Sequence, residues 1–252
     1  MTFTKDMKMA DLIHKNYLLL SIISRFGIPL GFGDKSVEEV CNEYNVNTYF
    51  FLDIVNSYSN ENYITDVQHN NFSIHSIVRY LRKTHKFYVD QIVPEIQCLI
   101  TNLYQNCFQQ KDNVKLLLNF FDEYKNELFI HINREEDVVY PYVLEIEKAY
   151  EAKKISDELA EQMKNYSISD YLNEHSDIEE KLLDLKNLII KYLPPTSDYK
   201  YRNKVLVKIF QLENDINDHS RIEEKVMAPK ILEIEKFLSS HFSINKQNNS
   251  DE

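Results

Sequence analysis

Glycine is almost absent from this chain of 252 residues. The three glycines, Gly27, Gly31 and Gly33, are clustered near the N-terminus, which predicts a specialised turn in that segment. Beyond it, few residues interrupt a helix, and apolar residues recur at alternating steps of three and four. This spacing is the period of an amphipathic α-helix. The sequence therefore predicts an all-α fold in which most of the chain forms long helices.

Four long amphipathic helices are predicted after the glycines. Their apolar stripes begin at Val78, Leu117, Ile168 and Val205. The connections at 109–113 and 194–198 are short and polar, and a short extra helix is predicted from Asp157 to Lys164. Long helices joined in this way pack antiparallel, so residues 72–242 are predicted to form an up-down-up-down four-helix bundle. Residues 243–252 are predicted to be a polar tail.

Residues 1–66 are predicted to form a small helical domain of their own. One helix is expected from Met9 to Phe26, before the glycines. After them, Ser36 and Glu39 have the Ser-x-x-Glu spacing of a capping box, which predicts the start of a second helix. A third helix is expected from Thr48 to Asn60.

Charge and composition exclude several classes of function. The formal net charge of -11, without a cluster of Lys and Arg interleaved with aromatics, argues against nucleic acid as a partner. No apolar run approaches the length of a membrane span, so no membrane association is expected. The N-terminal residues lack the apolar core of a secretory signal, which leads us to expect a cytoplasmic protein. The sequence also lacks a Walker loop, Gly-x-Gly-x-x-Gly and Gly-x-Ser-x-Gly.

The cysteines indicate neither a disulfide framework nor a thiolate zinc site. Cys41, Cys98 and Cys107 are odd in number and contain no Cys-x-x-Cys pair. We expect all of these thiols to be buried and inert.

Histidine occupies a core position in each of the four stripes, and in two of them a glutamate follows one helical turn later. The predicted metal ligands are His85, His131, Glu135, His175, His219 and Glu223. Any one of these histidines alone is better explained as a hydrogen-bonded structural residue. Several ionisable side chains in one core layer are costly to bury unless they share a partner. Together they predict a di-metal site.

The ligand pattern occurs twice along the chain. His131 to Glu136 has the form His-x-x-x-Glu-Glu, and His219 to Glu224 repeats it. A single histidine precedes each copy, His85 in the first helix and His175 in the third. Two helical hairpins are thus expected to contribute equivalent ligands at one level of the bundle.

The donor types favour iron. Imidazole and carboxylate ligands without thiolate suit two non-haem iron ions in a centre of the Fe-O-Fe type, with manganese or zinc as substitutes. If Glu135 and Glu223 both bridge the ions, coordination positions remain for a small ligand such as nitric oxide or dioxygen. Function is expected at those open positions.

Further acidic residues are candidates for a supporting role around the metals. Metal-bound histidines usually donate their second ring N–H to a carboxylate or carbonyl. Glu127, Glu174 and Asp215 are placed for this role, although for Glu127 and Asp215 a solvated helix face is an equally good explanation. Glu179 is an additional candidate ligand, but Ile178 takes the core step in that helix, which favours a flanking position for Glu179.

The residues that carry these motifs resemble the hemerythrin-like domain of the repair-of-iron-centres proteins, which act in iron-sulfur cluster repair. The matching motifs are Thr84 to Val89 with the following Pro94, the double glutamate at Glu135 and Glu136 with Tyr140 and Pro141, and the pair Glu174 and His175. Ala10 to Leu12, Phe26 to Ile28 and Glu38 to Cys41 resemble the small leading domain of that family. The resemblance covers nearly the whole chain and implies a hemerythrin-like bundle.

The chain departs from that family at two places. Gly31 to Asp34 stands where the family typically has Cys-Cys-Gly-Gly, so thiol chemistry assigned to that pair is not expected here. Glu179 stands where the family commonly has a small residue and other hemerythrins have a fifth histidine, so it is expected to narrow the open metal position. Ferritin-like di-iron proteins use Glu-x-x-His, and the His-x-x-x-Glu order of this chain argues against them.

The resemblance implies a di-iron protein of the nitrosative and oxidative stress response, which assists repair of damaged iron-sulfur clusters and binds or reduces nitric oxide. Its partners would be nitric oxide or dioxygen and iron-sulfur client proteins, and it would be a monomer or a homodimer. Any activity would be redox chemistry at the metals rather than that of a conventional hydrolase or transferase. Two alternatives stay open: a dioxygen, nitric oxide or redox sensor that uses the same site, and a metal store without turnover.

Overall fold

The computed structural model describes residues 2–60, 63, 72–106, 111–173, 178–193 and 199–242. Within these ranges the regular elements are α-helices and π-helices, with one isolated bridge between Lys8 and Ser36. The α-helices are α1 Met9–Lys15, α2 Leu19–Arg25, α3 Val37–Glu43, α4 Thr48–Ser59, α5 Ile74–Phe87, α6 Val93–Asn106, α7 Lys111–Arg134, α8 Tyr140–Ala152, α9 Asp157–Asn165, α10 Ile168–Asn173, α11 Ile178–Asn187, α12 Tyr199–Ile222 and α13 Ala228–His241. The prediction of an all-α fold is confirmed.

The chain is divided into two compact units. The first consists of residues 1–83, 143–169 and 220–252, and the second of residues 84–142 and 170–219. The division into a leading domain over 1–66, a bundle over 72–242 and a tail stays a prediction, and the tail lies outside the described residues.

In the first unit, most of the predicted N-terminal helices are present, with one difference. The capping box is confirmed, because Ser36 Oγ accepts from the Glu39 N–H and Glu39 accepts from the Ser36 N–H. The expected single helix from Met9 to Phe26 is wrong, because α1 ends before Asn16. The side chain of Asn16 accepts a hydrogen bond from the Leu18 N–H at 3.1 Å. Such a local bond competes with the helical ladder and favours a turn.

Carboxylates accept hydrogen bonds from the first backbone N–H groups of two helices in this first unit. Glu147 accepts from the backbone N–H groups of Ile74 and His75 at the start of α5. Glu235 accepts from the N–H of Ile168 at the start of α10, at 3.0 Å. A negative charge at a helix N-terminus also interacts favourably with the helix dipole.

The second unit contains four helical segments around one hydrophobic core. The segments are residues 84–106, 111–142, 170–173 with 178–193, and 199–219. Each segment contributes buried apolar side chains, among them Leu103, Phe121, Leu185 and Leu212. These positions belong to the apolar stripes that the sequence predicts.

The contacts between these segments establish their directions. In an antiparallel pair, residue numbers rise along one helix as they fall along the other. The first and second segments are joined by the pairs His85–Glu136 and Gln97–Lys125, and the second and third by Glu127–Lys181 and Glu135–Tyr171. The third and fourth segments are joined by Lys186–Glu213 and Leu193–Arg202, and the first and fourth by Glu95–Lys208 and Tyr88–Asp215. Each segment is therefore antiparallel to two neighbours, as in the predicted up-down-up-down four-helix bundle.

The thiols are only partly as expected. Cys41 is buried in α3, and burial raises the pKa of its thiol to about 12, so it is inert at neutral pH. Cys98 is exposed on α6, so the expectation that all thiols are buried is wrong for this residue. Cys107 lies outside the described residues. None of the described helices combines the length and apolar character that a membrane crossing requires.

Candidate metal centre

Three candidate ligands from three different helical segments meet in the core of the second unit. His85 Nε2 lies 2.9 Å from Glu135 Oε2 and 3.2 Å from His219 Nε2. His219 Nε2 lies 3.6 Å from the same carboxylate oxygen. All three residues are buried, with exposed fractions of 3% for His85, 0% for Glu135 and 5% for His219. This cluster has the donor types and spacing that hold a metal ion.

The fourth candidate, His131, contacts the other oxygen of the same carboxylate. Its Nε2 lies 2.8 Å from Oε1 of Glu135, which follows it by four residues, or about one turn, in the same helical segment. The hydroxyl of Tyr171 donates to that oxygen as well, at 2.6 Å. The two oxygens of Glu135 are therefore oriented toward different groups, Oε1 toward His131 and Tyr171 and Oε2 toward His85 and His219.

π-Helical turns occur at these positions. One π turn, Glu135–Val139, begins at Glu135, and another, Glu223–Met227, begins at Glu223. A third, Tyr88–Ile92, begins three residues after His85. A π turn inserts an extra residue into the helix, which changes the direction in which the following side chains point, and such turns are frequent at functional sites. The spacing of the sequence does not reveal them.

Glu136 orients His85, a role that the sequence analysis missed. Its carboxylate can only accept, so the Nδ1–H of His85 donates to Glu136 Oε1, at 2.8 Å. The Tyr140 ring stacks on the His85 ring with centroids 5.4 Å apart, and its hydroxyl lies 3.4 Å from His85 Nε2. The second glutamate of the His-x-x-x-Glu-Glu motif was the available signal for Glu136.

Of the predicted supporting residues, Asp215 and Glu127 are described. Asp215 is buried and accepts from the Tyr88 hydroxyl at 3.3 Å, and the Tyr88 ring packs edge-on against His219 at 6.0 Å. Glu127 forms an ion pair with Lys181. Hydrogen bonds from metal-bound His219 to Asp215 and from His131 to Glu127 stay predictions.

Four predicted site residues remain, Glu174, His175, Glu179 and Glu223. Glu174 and His175 lie outside the described residues, and the side chain of Glu179 does as well. Glu223 is fully buried in the first unit. The roles of these residues therefore stay sequence predictions.

The charges in the cluster reinforce one another. Burial disfavours ionisation of Glu135, but the imidazoles of His131, His219 and His85 outweigh that effect and hold the pKa of its carboxyl well below the usual range. Burial likewise disfavours the imidazolium form of His85, but the carboxylates of Glu135 and Glu136 raise the pKa of this histidine above its ordinary value. The cluster therefore favours both a negative carboxylate and a positive group next to it.

A metal ion fits this arrangement. Because the Nδ1–H of His85 is donated to Glu136, the Nε2 of neutral His85 carries a lone pair. That lone pair faces a carboxylate oxygen at 2.9 Å and a second imidazole nitrogen at 3.2 Å. Such a group of electron donors is stable only around a cation, which is either a proton or a metal ion. The carboxylate–histidine pair of Glu136 and His85 is also the usual support of a metal-bound imidazole.

Fold and site together define a helical-bundle protein with a non-haem metal centre. Residues 76–231 match the Hemerythrin HHE cation binding domain. The match covers more than half of the chain, and the chain therefore belongs to the hemerythrin family. It is a metal-binding module of a family that typically uses iron. The search of curated proteins found no match.

Proposed function

We propose that this protein holds two non-haem iron ions and acts in the nitrosative and oxidative stress response. In this role it binds or reduces nitric oxide and assists the repair of damaged iron-sulfur clusters. The convergence of His85, His219 and His131 on the two oxygens of one buried carboxylate, Glu135, is the observation that carries the proposal. A cytoplasmic location, a monomer or homodimer and iron-sulfur client proteins belong to the same proposal.

The orientation of Glu135 supports a centre with two ions. Its Oε2 lies next to His85 and His219, while its Oε1 lies next to His131. A carboxylate whose two oxygens contact different imidazoles has the arrangement of a bridging ligand. The sequence repeat assigns the second bridge to Glu223, which is fully buried. Two iron ions held by these residues would supply redox chemistry for a small diatomic ligand.

The surrounding side chains prepare the site for that chemistry. Glu136 fixes the ring of His85 by accepting its Nδ1–H, which leaves Nε2 to act as an electron donor. Tyr171 holds a hydroxyl proton on Glu135 Oε1 and Tyr140 places another hydroxyl 3.4 Å from His85 Nε2. His85, Glu135 and His219 are themselves buried from bulk water, which strengthens these interactions.

A sensor or reversible binding module is the second candidate function. Helix α5 carries His85 and, five residues earlier, Tyr80, whose ring packs 4.9 Å from that of Phe26, the residue that follows α2. A ligand or redox change at His85 would be relayed along this helix to the N-terminal residues. The absence of the cysteine pair at Gly31 to Asp34 favours a relay role for that region over thiol chemistry.

The test is anaerobic purification followed by metal analysis and exposure of the reduced protein to nitric oxide and to dioxygen. Two iron ions per chain and catalytic consumption of nitric oxide support the proposal, as does restored activity of a client enzyme whose cluster nitric oxide has damaged. Stoichiometric, reversible adducts support the sensor function instead.

The His85→Ala variant is expected to lose the metal, and with it both the consumption of nitric oxide and the restoration of the client enzyme. His75→Ala is the matched control, because His75 is exposed on the same helix. Equal metal content in both variants contradicts the site.

A further inference from the structure

A cavity of about 240 Å³ lies in the first compact unit, beside the N-terminal helices. It is lined by the end of α2, the start of α4 and one face of α5. Its volume is below that of pockets for drug-sized ligands, which suits a small molecule. The proposed iron function does not use it.

Three cations from two helices line this cavity. Arg79 and Lys83 are four residues apart on α5, which places them on one helical face, and Arg25 comes from the end of α2. Arg25 is only 6% exposed. Among the described residues that line the cavity there is no carboxylate. In a chain of net charge -11, this concentration of positive charge is unusual and favours an anion.

The surroundings of Lys83 at this cavity lower its pKa. Burial lowers the pKa of Lys83, and the nearby guanidinium of Arg79 lowers it further. A β-carbon at Gly27 would lie 3.6 Å from Lys83 Nζ, so the ammonium group lies against the turn that follows α2. Gly27 has a φ of +80°, which favours glycine at this contact.

The start of α4 adds to the positive potential. Asn47 caps this helix of 12 residues by accepting from the Phe50 N–H, and both residues line the cavity. The positive end of the α4 dipole therefore lies at the cavity that the three cations line.

Aromatic rings supply an apolar surface next to these charges. The ring of Phe26 lies 5.6 Å from that of Phe50 and 4.9 Å from that of Tyr80. All three residues line the cavity. A ligand that fits here combines a negative group with a small apolar part.

We propose that this cavity binds a small molecule that carries a phosphate group beside an apolar group. Two guanidinium groups and an ammonium balance the double negative charge of a phosphate better than the single charge of a carboxylate. A planar guanidinium group can also donate two parallel hydrogen bonds to two oxygens of one phosphate. The apolar part packs on the rings of Phe26, Phe50 and Tyr80.

Titration calorimetry with phenyl phosphate, inorganic phosphate and benzoate tests this site on the full chain. Phenyl phosphate is expected to bind most tightly, because it satisfies both the cations and the rings. Arg79→Gln and Lys83→Gln are each expected to weaken its binding at least about tenfold, since each removes a charge-assisted contact. Arg82→Gln, which removes an exposed charge from the same helix outside the cavity, is expected to change it less than about twofold.

Several outcomes overturn the proposal. One is the absence of saturable binding of phenyl phosphate to the folded protein. Another is an equal loss in Arg82→Gln, which would mean that only general surface charge attracts the anion. Benzoate binding as tightly as phenyl phosphate contradicts the preference for phosphate. Binding that survives in Arg79→Gln but disappears in the metal-depleted His85→Ala variant assigns the anion to the metal centre instead.

Discussion

The two His-x-x-x-Glu motifs have the same spacing but different surroundings. In both, the glutamate is fully buried and begins a π turn. The side chain of His131 is 17% exposed and contacts its own Glu135, whereas that of His219 is 5% exposed and contacts His85 and the glutamate of the other motif. A repeat in sequence therefore specifies which positions face the core, but the neighbouring helices decide which atoms meet there.

This difference makes Glu135 the side chain on which the described cluster depends most. Three imidazoles contact its oxygens, and no other carboxylate in the described cluster is shared in this way.

The largest effect is expected for Glu135→Gln. The amide keeps the shape but removes the charge that the three imidazoles surround, so bound metal is expected to fall at least about tenfold. The melting temperature should fall with it, because bound metal stabilises only the folded form. Metal analysis and thermal melting measure both. Glu123→Gln, an exposed change on the same helix, is the control. Full metal content in Glu135→Gln would remove Glu135 from the ligand set.

The two motif histidines are expected to differ in importance. His219→Ala should deplete metal more than His131→Ala, because His219 is more deeply buried and contacts two candidate ligands rather than one. Metal content of both variants, purified side by side, measures the order. Equal depletion would mean that the two motifs act symmetrically, despite the different contacts of their histidines.

Glu136→Gln is expected to weaken metal binding about 10- to 100-fold, the usual effect of removing the support of a metal-bound histidine. The substitution should also change the pH dependence of metal affinity. Burial opposes the imidazolium form of His85 in the metal-free protein, but Glu135 and Glu136 raise its pKa above 6.5. A proton therefore competes with metal, and affinity falls as the pH drops through this raised pKa.

Without the negative charge of Glu136, that fall should move to lower pH. Metal titrations between pH 5 and pH 8 follow the shift, which a merely structural role of Glu136 would not produce. Glu145→Gln is the control, because Glu145 lies on α8 and lines a separate cavity. An unchanged midpoint in Glu136→Gln would contradict the link between this carboxylate and His85.

The smallest effects are expected for the tyrosines next to each motif. Tyr171→Phe removes a 2.6 Å hydrogen bond to the charged Glu135 and should lower the free energy of unfolding by about 1.5 to 3 kcal/mol. Tyr88→Phe removes a longer bond, of 3.3 Å, to Asp215. Because longer hydrogen bonds are weaker, it should cost less, at most about 1.5 kcal/mol. Denaturant unfolding of the metal-free variants measures both. The reverse order would show that the second motif depends more on its tyrosine than the first.

Much of the fold was predictable because it follows from local rules. The helical period placed Leu103, Phe121, Leu185 and Leu212 in the core, where they are buried. The capping box at Ser36 depends only on residues three apart, and it forms as predicted. The break in the predicted helix after α1 was missed, since the side chain of Asn16 has a hydrogen-bonding alternative that periodicity does not register.

The supporting contacts of the metal centre were less predictable. The Glu136 carboxylate reaches His85 across a distance of 51 residues in sequence, and Tyr171 reaches Glu135 across 36. Neither contact follows from spacing along one helix. The cation-lined cavity is a similar case, because Arg25 and Arg79 form no cluster in the sequence and become neighbours only through helix packing.

By itself, the sequence determined the all-α class, the four amphipathic segments and the histidines and glutamates that face their core, because side-chain direction in a helix repeats every 3.6 residues. Tertiary structure alone decided that Glu135 is shared by three imidazoles and that its helix changes to a π turn there. Periodicity fixes the face on which a side chain lies. Its partners and its charge state depend on what the neighbouring helices place against that face.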